Sequence, residues 1–198
     1  YVLVSTFRLP TLIHTRSANS KWLSELSNTN PVWIHTSDAE RMGVVSGDLV
    51  KVQSRIGHYV NKAWVTEGIR PGVVACSHHM GRWRLDGDQQ GVNSWQCHGM
   101  KMEREGSTYR YRRQKDVGSY QSDDHESAHV WWSEGGVHQN FIFPVQPDPV
   151  SGMHCWHQKV TVTKAGPDDR YGDIVVDTAK SMDVFREWQA ETRPAPGP

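Results

Sequence analysis

The first eighty residues alternate between short apolar runs and clusters of Gly, Asp, Pro and Ser, the pattern of a β-rich chain. Residues 1–5 (YVLVS) predict a strand. Residues 20–26 predict a short helix with Trp22, Leu23 and Leu26 on one face. A strand follows over 32–35. Ser37-Asp-Ala-Glu40 then has the form of a capping box, in which Ser37 accepts from the N–H of Glu40 and Glu40 reaches back. The helix it starts is about two turns long, and Gly43 closes it in the left-handed conformation. A turn over 44–48 leads into a strand over 49–54. Ile56-Gly57 fits a tight reversal, and 59–66 alternates again with Val60 and Val65 as anchors. A turn cluster over 67–72 precedes a buried strand over 73–77.

The pattern breaks over 82–134. This stretch is polar, with a basic-aromatic run Tyr109-Arg-Tyr-Arg-Arg113 and an acidic run Asp123-Asp-His-Glu126. It reads as a long insertion between strands, and its Trp and Tyr content predicts partial order. The basic-aromatic run is flanked by Glu103, Glu105 and Asp116, which favours a solvated or subunit-contact surface over a nucleic-acid patch. β grammar returns over 135–165, ending in an alternating strand over 159–164. Residues 166–198 read as a tail containing a helix over 177–191, with Met182, Phe185 and Trp188 spaced three apart, and a Pro-rich end. No solenoid-period repeat is visible.

The chain of 198 residues suits one domain with an insertion and a tail. A net charge of zero disfavours a nucleic-acid partner. No apolar run is long enough to cross a bilayer. The opening YVLVSTFRLP lacks a basic n-region and a small-residue cleavage site, so no signal peptide is expected, and a start without Met is expected of a piece of a longer chain. Three cysteines, Cys76, Cys97 and Cys155, are too few and too scattered for a disulfide framework.

Four polar constellations stand out. His14-Thr-Arg-Ser-Ala-Asn-Ser20, with Arg8 upstream, brings together imidazole, guanidinium, hydroxyl and amide groups. Cys76-Ser-His-His-Met-Gly81 follows a predicted buried strand. Gly136-Val-His-Gln-Asn140 precedes the turn Asp148-Pro-Val-Ser-Gly152. His154-Cys-Trp-His157 lies just beyond. Neither His/Cys cluster reads as a zinc site: the adjacent His78 and His79 face opposite ways on a strand with no second pair at ligand spacing, and the four consecutive positions 154–157 cannot converge on one ion.

These motifs and the strand, short-helix, Gly-Asp-turn grammar around them resemble the C-terminal dinucleotide-binding domain of the molybdopterin oxidoreductases, the dimethyl-sulfoxide-reductase superfamily. The likeness covers 1–81 and 135–165. It implies a mainly β fold: a six-stranded double-psi β-barrel over 1–165 with short helices, the insertion 82–134, and a C-terminal helical tail over 166–198. It implies binding of molybdopterin guanine dinucleotide, carrying molybdenum or tungsten, with Arg8, His14, Thr15, Arg16, Ser17 and Asn19 against pterin or phosphate. His79, Gly81 and Asn140 would complete the wall. His157 stands where relatives carry a Lys or other polar residue near the pterin, a departure that loosens that assignment.

In such enzymes the iron–sulfur cluster and the metal ligand lie elsewhere in the subunit. No residue here is therefore assigned as a molybdenum ligand or as catalytic, and the isolated chain is expected to be inactive. Implied partners are the rest of the catalytic subunit and an iron–sulfur electron-transfer subunit. The compartment stays open between the prokaryotic cytoplasm and periplasm, with or without membrane association through partner subunits. Implied substrates are small inorganic oxyanions or formate, with a flavour of the polysulfide, thiosulfate and sulfite branch. The rival reading is a non-catalytic barrel that recognises a partner protein, since fold does not decide function. A free-standing His/Cys metalloenzyme ranks third.

Overall fold

A computed structural model describes residues 1–5, 30–78, 100–113 and 137–192. The described part is mainly β, with ten strands, two helices and one 3₁₀ turn. The strands are β1 (Val2–Val4), β2 (Val32–Ile34), β3 (Leu49–Gln53), β4 (Gly57–Val65), β5 (Val73–Ala75), β6 (Met100–Glu105), β7 (Thr108–Arg113), β8 (His157–Lys159), β9 (Thr161–Lys164) and β10 (Ile174–Asp177). Helix α1 spans Thr36–Met42 and α2 spans Thr178–Thr192.

β4 organises the sheet. Its first half pairs antiparallel with β10 on one side and with β3 on the other, and its last three residues pair parallel with β2. Ordered from one edge, the strands run β6-β7-β10-β4-β2-β5-β1-β8, with β3 joining β4 to β9. β1 and β5 are parallel, so both point their C-terminal ends the same way. Inward-facing Leu3, Val32, Ile34, Val50, Val52, Val74 and Ile174 form one core with Tyr59, which is fully buried. Alternating burial along β2, β3 and β10 is what places these side chains on a common face.

Several elements differ from expectation. The Ser37/Glu40 capping box is not formed. Helix α1 begins at Thr36, and His35 caps it: its Nδ1 accepts from the Ser37 N–H at 3.1 Å. An acceptor at Nδ1 leaves the proton on Nε2, which faces Glu67 Oε2 at 3.1 Å. The imidazole thus fills the hydroxyl's capping role while being anchored from behind. Gly43 does close the helix in the left-handed region, at φ 64°, with its N–H directed at the carbonyls of Ala39 and Glu40.

The expected single strand over 159–164 is two. It turns a corner at buried Val160, whose N–H donates to Tyr1 O at 2.9 Å, so that β8 pairs with β1 and β9 with β3. The basic-aromatic run is strand β7 of a hairpin with β6. β7 joins the sheet through β10, and Tyr109 and Tyr111 turn inward against Ile56, Val176 and Val184. Strand β10 lies in the stretch that the sequence left as tail. In α2 the buried side chain is Val184, with Phe185 and Trp188 half-buried, while Met182 is 49% exposed. A strict spacing of three drifts around a 3.6-residue helix, so Met182 leaves the stripe that Val184 and Trp188, four apart, maintain. The predicted helix over 20–26 lies outside the described residues.

A buried amide cluster at the candidate functional site

Of the residues expected to touch a cofactor, Arg8, His14, Thr15, Arg16, Ser17, Asn19, His79 and Gly81 lie outside the described residues. What the structure does show is where the segments carrying them begin and end. In the chain, residues 6–29 lie between Ser5 and Asn30, and residues 79–99 follow His78. The Gly136–Asn140 motif is described from Val137.

These points meet. The C-terminal ends of the parallel strands β1 and β5 lie side by side, and the pairing runs on past them through Cys76 N to Val4 O at 3.3 Å. Beyond that, His78 Nδ1 lies 2.5 Å from Ser5 O, and since a carbonyl can only accept, Nδ1 carries the proton. Asn30 clamps the far end of the same segment onto β5: its Nδ2 donates to Ser77 O at 2.5 Å and its Oδ1 accepts from Ser77 N at 2.9 Å. Asn61, from β4, donates to Asn30 O at 2.7 Å. Gln139, in the 3₁₀ turn Gln139–Ile142, donates through Nε2 to Cys76 O. Asn30, Asn61, Ser77 and Gln139 are each at most 1% exposed. Burying neutral amides is costly unless each is hydrogen-bonded, and here the partners are main-chain groups at strand ends, where regular pairing stops.

Gln139 Oε1 is the exception. It is fully buried and has no hydrogen-bond partner. Asn140, the amide expected to hold a cofactor, is exposed beside it. Cys76 sits within this cluster. Burial pushes its thiol up to about 12, against smaller opposing contributions from hydrogen bonds to Tyr59, Asn61 and Asn30, so it stays protonated and is no nucleophile at neutral pH.

His154 and His78 both pack on Trp156, at ring-centroid distances of 5.2 and 5.6 Å. His157 is exposed on β8, opposite Val4 of β1. Ser5 N–H and Oγ both donate to Trp156 O, at 3.1 and 3.2 Å, which ties this loop to the same strand end. Among the described residues no group of three or more His, Cys, Asp or Glu converges as a metal site would. A shallow cleft of about 620 Å³ is lined by Tyr1, Gly72 and Lys159, at the opposite end of β1 from this cluster.

The sequence reading overlooked Asn30, Asn61 and Gln139. Asn61 carries the one readable signal: it breaks the apolar alternation of β4 at a position the fold buries.

The arsenate respiratory reductase molybdopterin-containing subunit of Chrysiogenes arsenatis is 35% identical over 78 residues, which is 35% of this chain and 9% of that protein. The thiosulfate reductase molybdopterin-containing subunit of Salmonella typhimurium is 39% identical over 64 residues, 31% of this chain and 8% of that protein. The match thus spans less than a tenth of either relative's length. Among solved structures, acetylene hydratase from Pelobacter acetylenicus aligns with a TM-score of 0.48 at 13% identity, covering 83% of this chain and 18% of that one. A family model described as the Molydopterin dinucleotide binding domain matches residues 2–114, which is more than half of the chain. The chain therefore belongs to the molybdopterin dinucleotide-binding domain family.

Proposed function

We propose that this chain forms one wall of a binding site for the guanine-dinucleotide form of molybdopterin, within a molybdenum or tungsten oxidoreductase acting on a small inorganic or one-carbon substrate. The observation that carries the reading is the junction of Ser5, Asn30, Ser77, His78 and Gln139. It brings together Ser5 and Asn30, which flank residues 6–29, His78, which precedes residues 79–99, and Gln139 of the Gly136–Asn140 motif. The donor set fits such a group. Neutral amides, hydroxyls and imidazoles complement a planar heterocycle with several donors and acceptors, and the unpartnered Gln139 Oε1 is a buried acceptor in the same place.

The parallel β1/β5 and β2/β4 pairs within an otherwise antiparallel sheet support the double-psi barrel reading for 1–165, with 82–134 as its insertion and 166–198 as a tail that contributes β10 and α2. Redox chemistry is supplied by the cofactor when bound. The chain's own residues bind and orient it: Arg8, His14, Thr15, Arg16, Ser17 and Asn19 toward pterin or phosphate, with His79, Gly81, Asn140 and His157 around it. The metal ligand, an iron–sulfur cluster and an electron-transfer subunit belong to the larger assembly. The relatives named for arsenate and thiosulfate support an inorganic oxyanion as substrate, with the sulfur-compound branch as the narrower reading. The family match gives no support to a non-catalytic recognition module.

The test is metal content and guanine nucleotide released by acid hydrolysis from the native assembly, repeated for Ser17→Ala and Asn140→Ala. Molybdenum or tungsten accompanied by guanine nucleotide, and lost in the variants, is the expected result. An assembly with neither metal nor guanine refutes it.

A further inference from the structure

We infer that Asn30, Asn61 and Gln139 form a clasp that positions the cofactor-binding segments through the main-chain groups these amides hold. The inference rests on the function proposed above. Three buried amides reach toward one another from three distant parts of the chain, and their partners are the carbonyl of Cys76, both main-chain groups of Ser77 and the carbonyl of Asn30. Residue 79 follows two bonds of chain after Ser77, and residue 29 immediately precedes Asn30. Holding these groups fixes the described residues to which both segments are joined, Asn30 and His78. An apolar side chain at 139 would leave the Cys76 carbonyl without this donor, and the chain places there an amide whose second polar atom is left unpartnered. That choice makes physical sense where the direction of the neighbouring strand end matters more than the strength of packing.

Cys76 provides a built-in reporter. It is fully buried, and its side chain lies within reach of Asn61 Nδ2 at 3.8 Å and of Asn30 O at 4.0 Å. Alkylation of Cys76 in the native protein therefore reads how often the clasp opens.

The experiment compares Gln139→Met, which keeps length and volume but removes the donor, with Ile142→Val as a control. Ile142 is fully buried in the same 3₁₀ turn, and losing one methyl there lowers global stability by a similar amount while removing none of the clasp's hydrogen bonds. Both variants are made in the complete catalytic subunit. Loss of a single neutral hydrogen bond predicts about fivefold faster release of guanine dinucleotide and about fivefold faster alkylation of Cys76 in Gln139→Met. Ile142→Val should match wild type in both. Equal behaviour of the two variants overturns the clasp and leaves Gln139 as packing. Wild-type subunit that holds no guanine nucleotide overturns the parent function instead, and the clasp with it as a cofactor-positioning device. Should Gln139→Met fail to accumulate, Asn61→Ser, which shortens the donor, supports the same comparison with the same readouts.

Discussion

Gly57 opens β4 directly opposite Val176 of β10, and its lack of a side chain is what lets the two strands meet. A Cβ built there would lie 2.0 Å from the carbonyl oxygen of Val175, and 3.0 Å from both the carbonyl carbon of Val175 and Cα of Val176. All three are main-chain atoms, so no rotamer change relieves the clash. β10 would have to retreat by roughly 1 Å or more to reach ordinary contact. That retreat strains the bond that ties the end of β10 to the residue before Gly57, Asp177 N to Ile56 O at 2.8 Å. Overpacking of this kind costs about 1–3 kcal/mol, and one or two weakened main-chain bonds add about 1 kcal/mol each. Gly57→Ala is thus expected to lose about 2–5 kcal/mol, a large share of the roughly 5–15 kcal/mol that holds a domain together. Equilibrium urea unfolding followed by tryptophan fluorescence measures it, and hydrogen exchange at Val175 and Val176 localises it. A loss under about 1 kcal/mol with unchanged protection of those amides would show that the seam yields easily, and the reasoning fails.

Two further predictions concern carboxylates. Asp177 accepts from Ser107 Oγ at 2.8 Å and from the N–H groups of Ala179 and Lys180 at the start of α2, and these bonds hold its carboxyl below its ordinary value. A lowered carboxyl contributes stability above its unfolded pKa that is lost as pH falls through the folded one. The thermal midpoint of Asp177→Asn should therefore fall less steeply than wild type on acidification below about pH 4; parallel profiles would contradict this. Asp38 is fully buried, pairs with Arg41 and accepts from Gly72 N at 2.7 Å. Asp38→Ala should cost about 2–3 kcal/mol in urea unfolding and Asp38→Asn less; a cost below about 0.5 kcal/mol for the alanine variant would remove Asp38 from the structural account.

Local grammar was legible where short-range rules decide the structure. Gly43 at the end of α1 and the strands from β1 to β5 are such cases. The misses have a common cause, which is partners far away in the chain. Ile174–Asp177 is too short to announce itself, and only pairing with β4 and β7 makes it a strand. Tyr109 to Arg113 reads as a charged surface until β10 shows which face is inward. The Ser37 box lost to His35 because Glu67, thirty-two residues on, anchors the imidazole. At the site, the sequence pointed to Asn140, while the neighbouring Gln139 is the amide the fold buries. Which of two adjacent side chains turns inward in a 3₁₀ turn is set by tertiary packing, and no periodicity encodes it.

The pairing of β1 has a consequence for how the molecule is made. Its neighbours are β5 and β8, and Ser5 bonds to Trp156, 151 positions later. At ribosomal speeds of roughly 5–20 residues per second, about ten to thirty seconds pass between the synthesis of β1 and that of its last partner. During that interval an apolar strand with open edges waits in the cell and is a target for chaperones or for mispairing. The junction of Ser5, Asn30 and His78 cannot be braced by Gln139 or Trp156 until translation of this region is nearly complete.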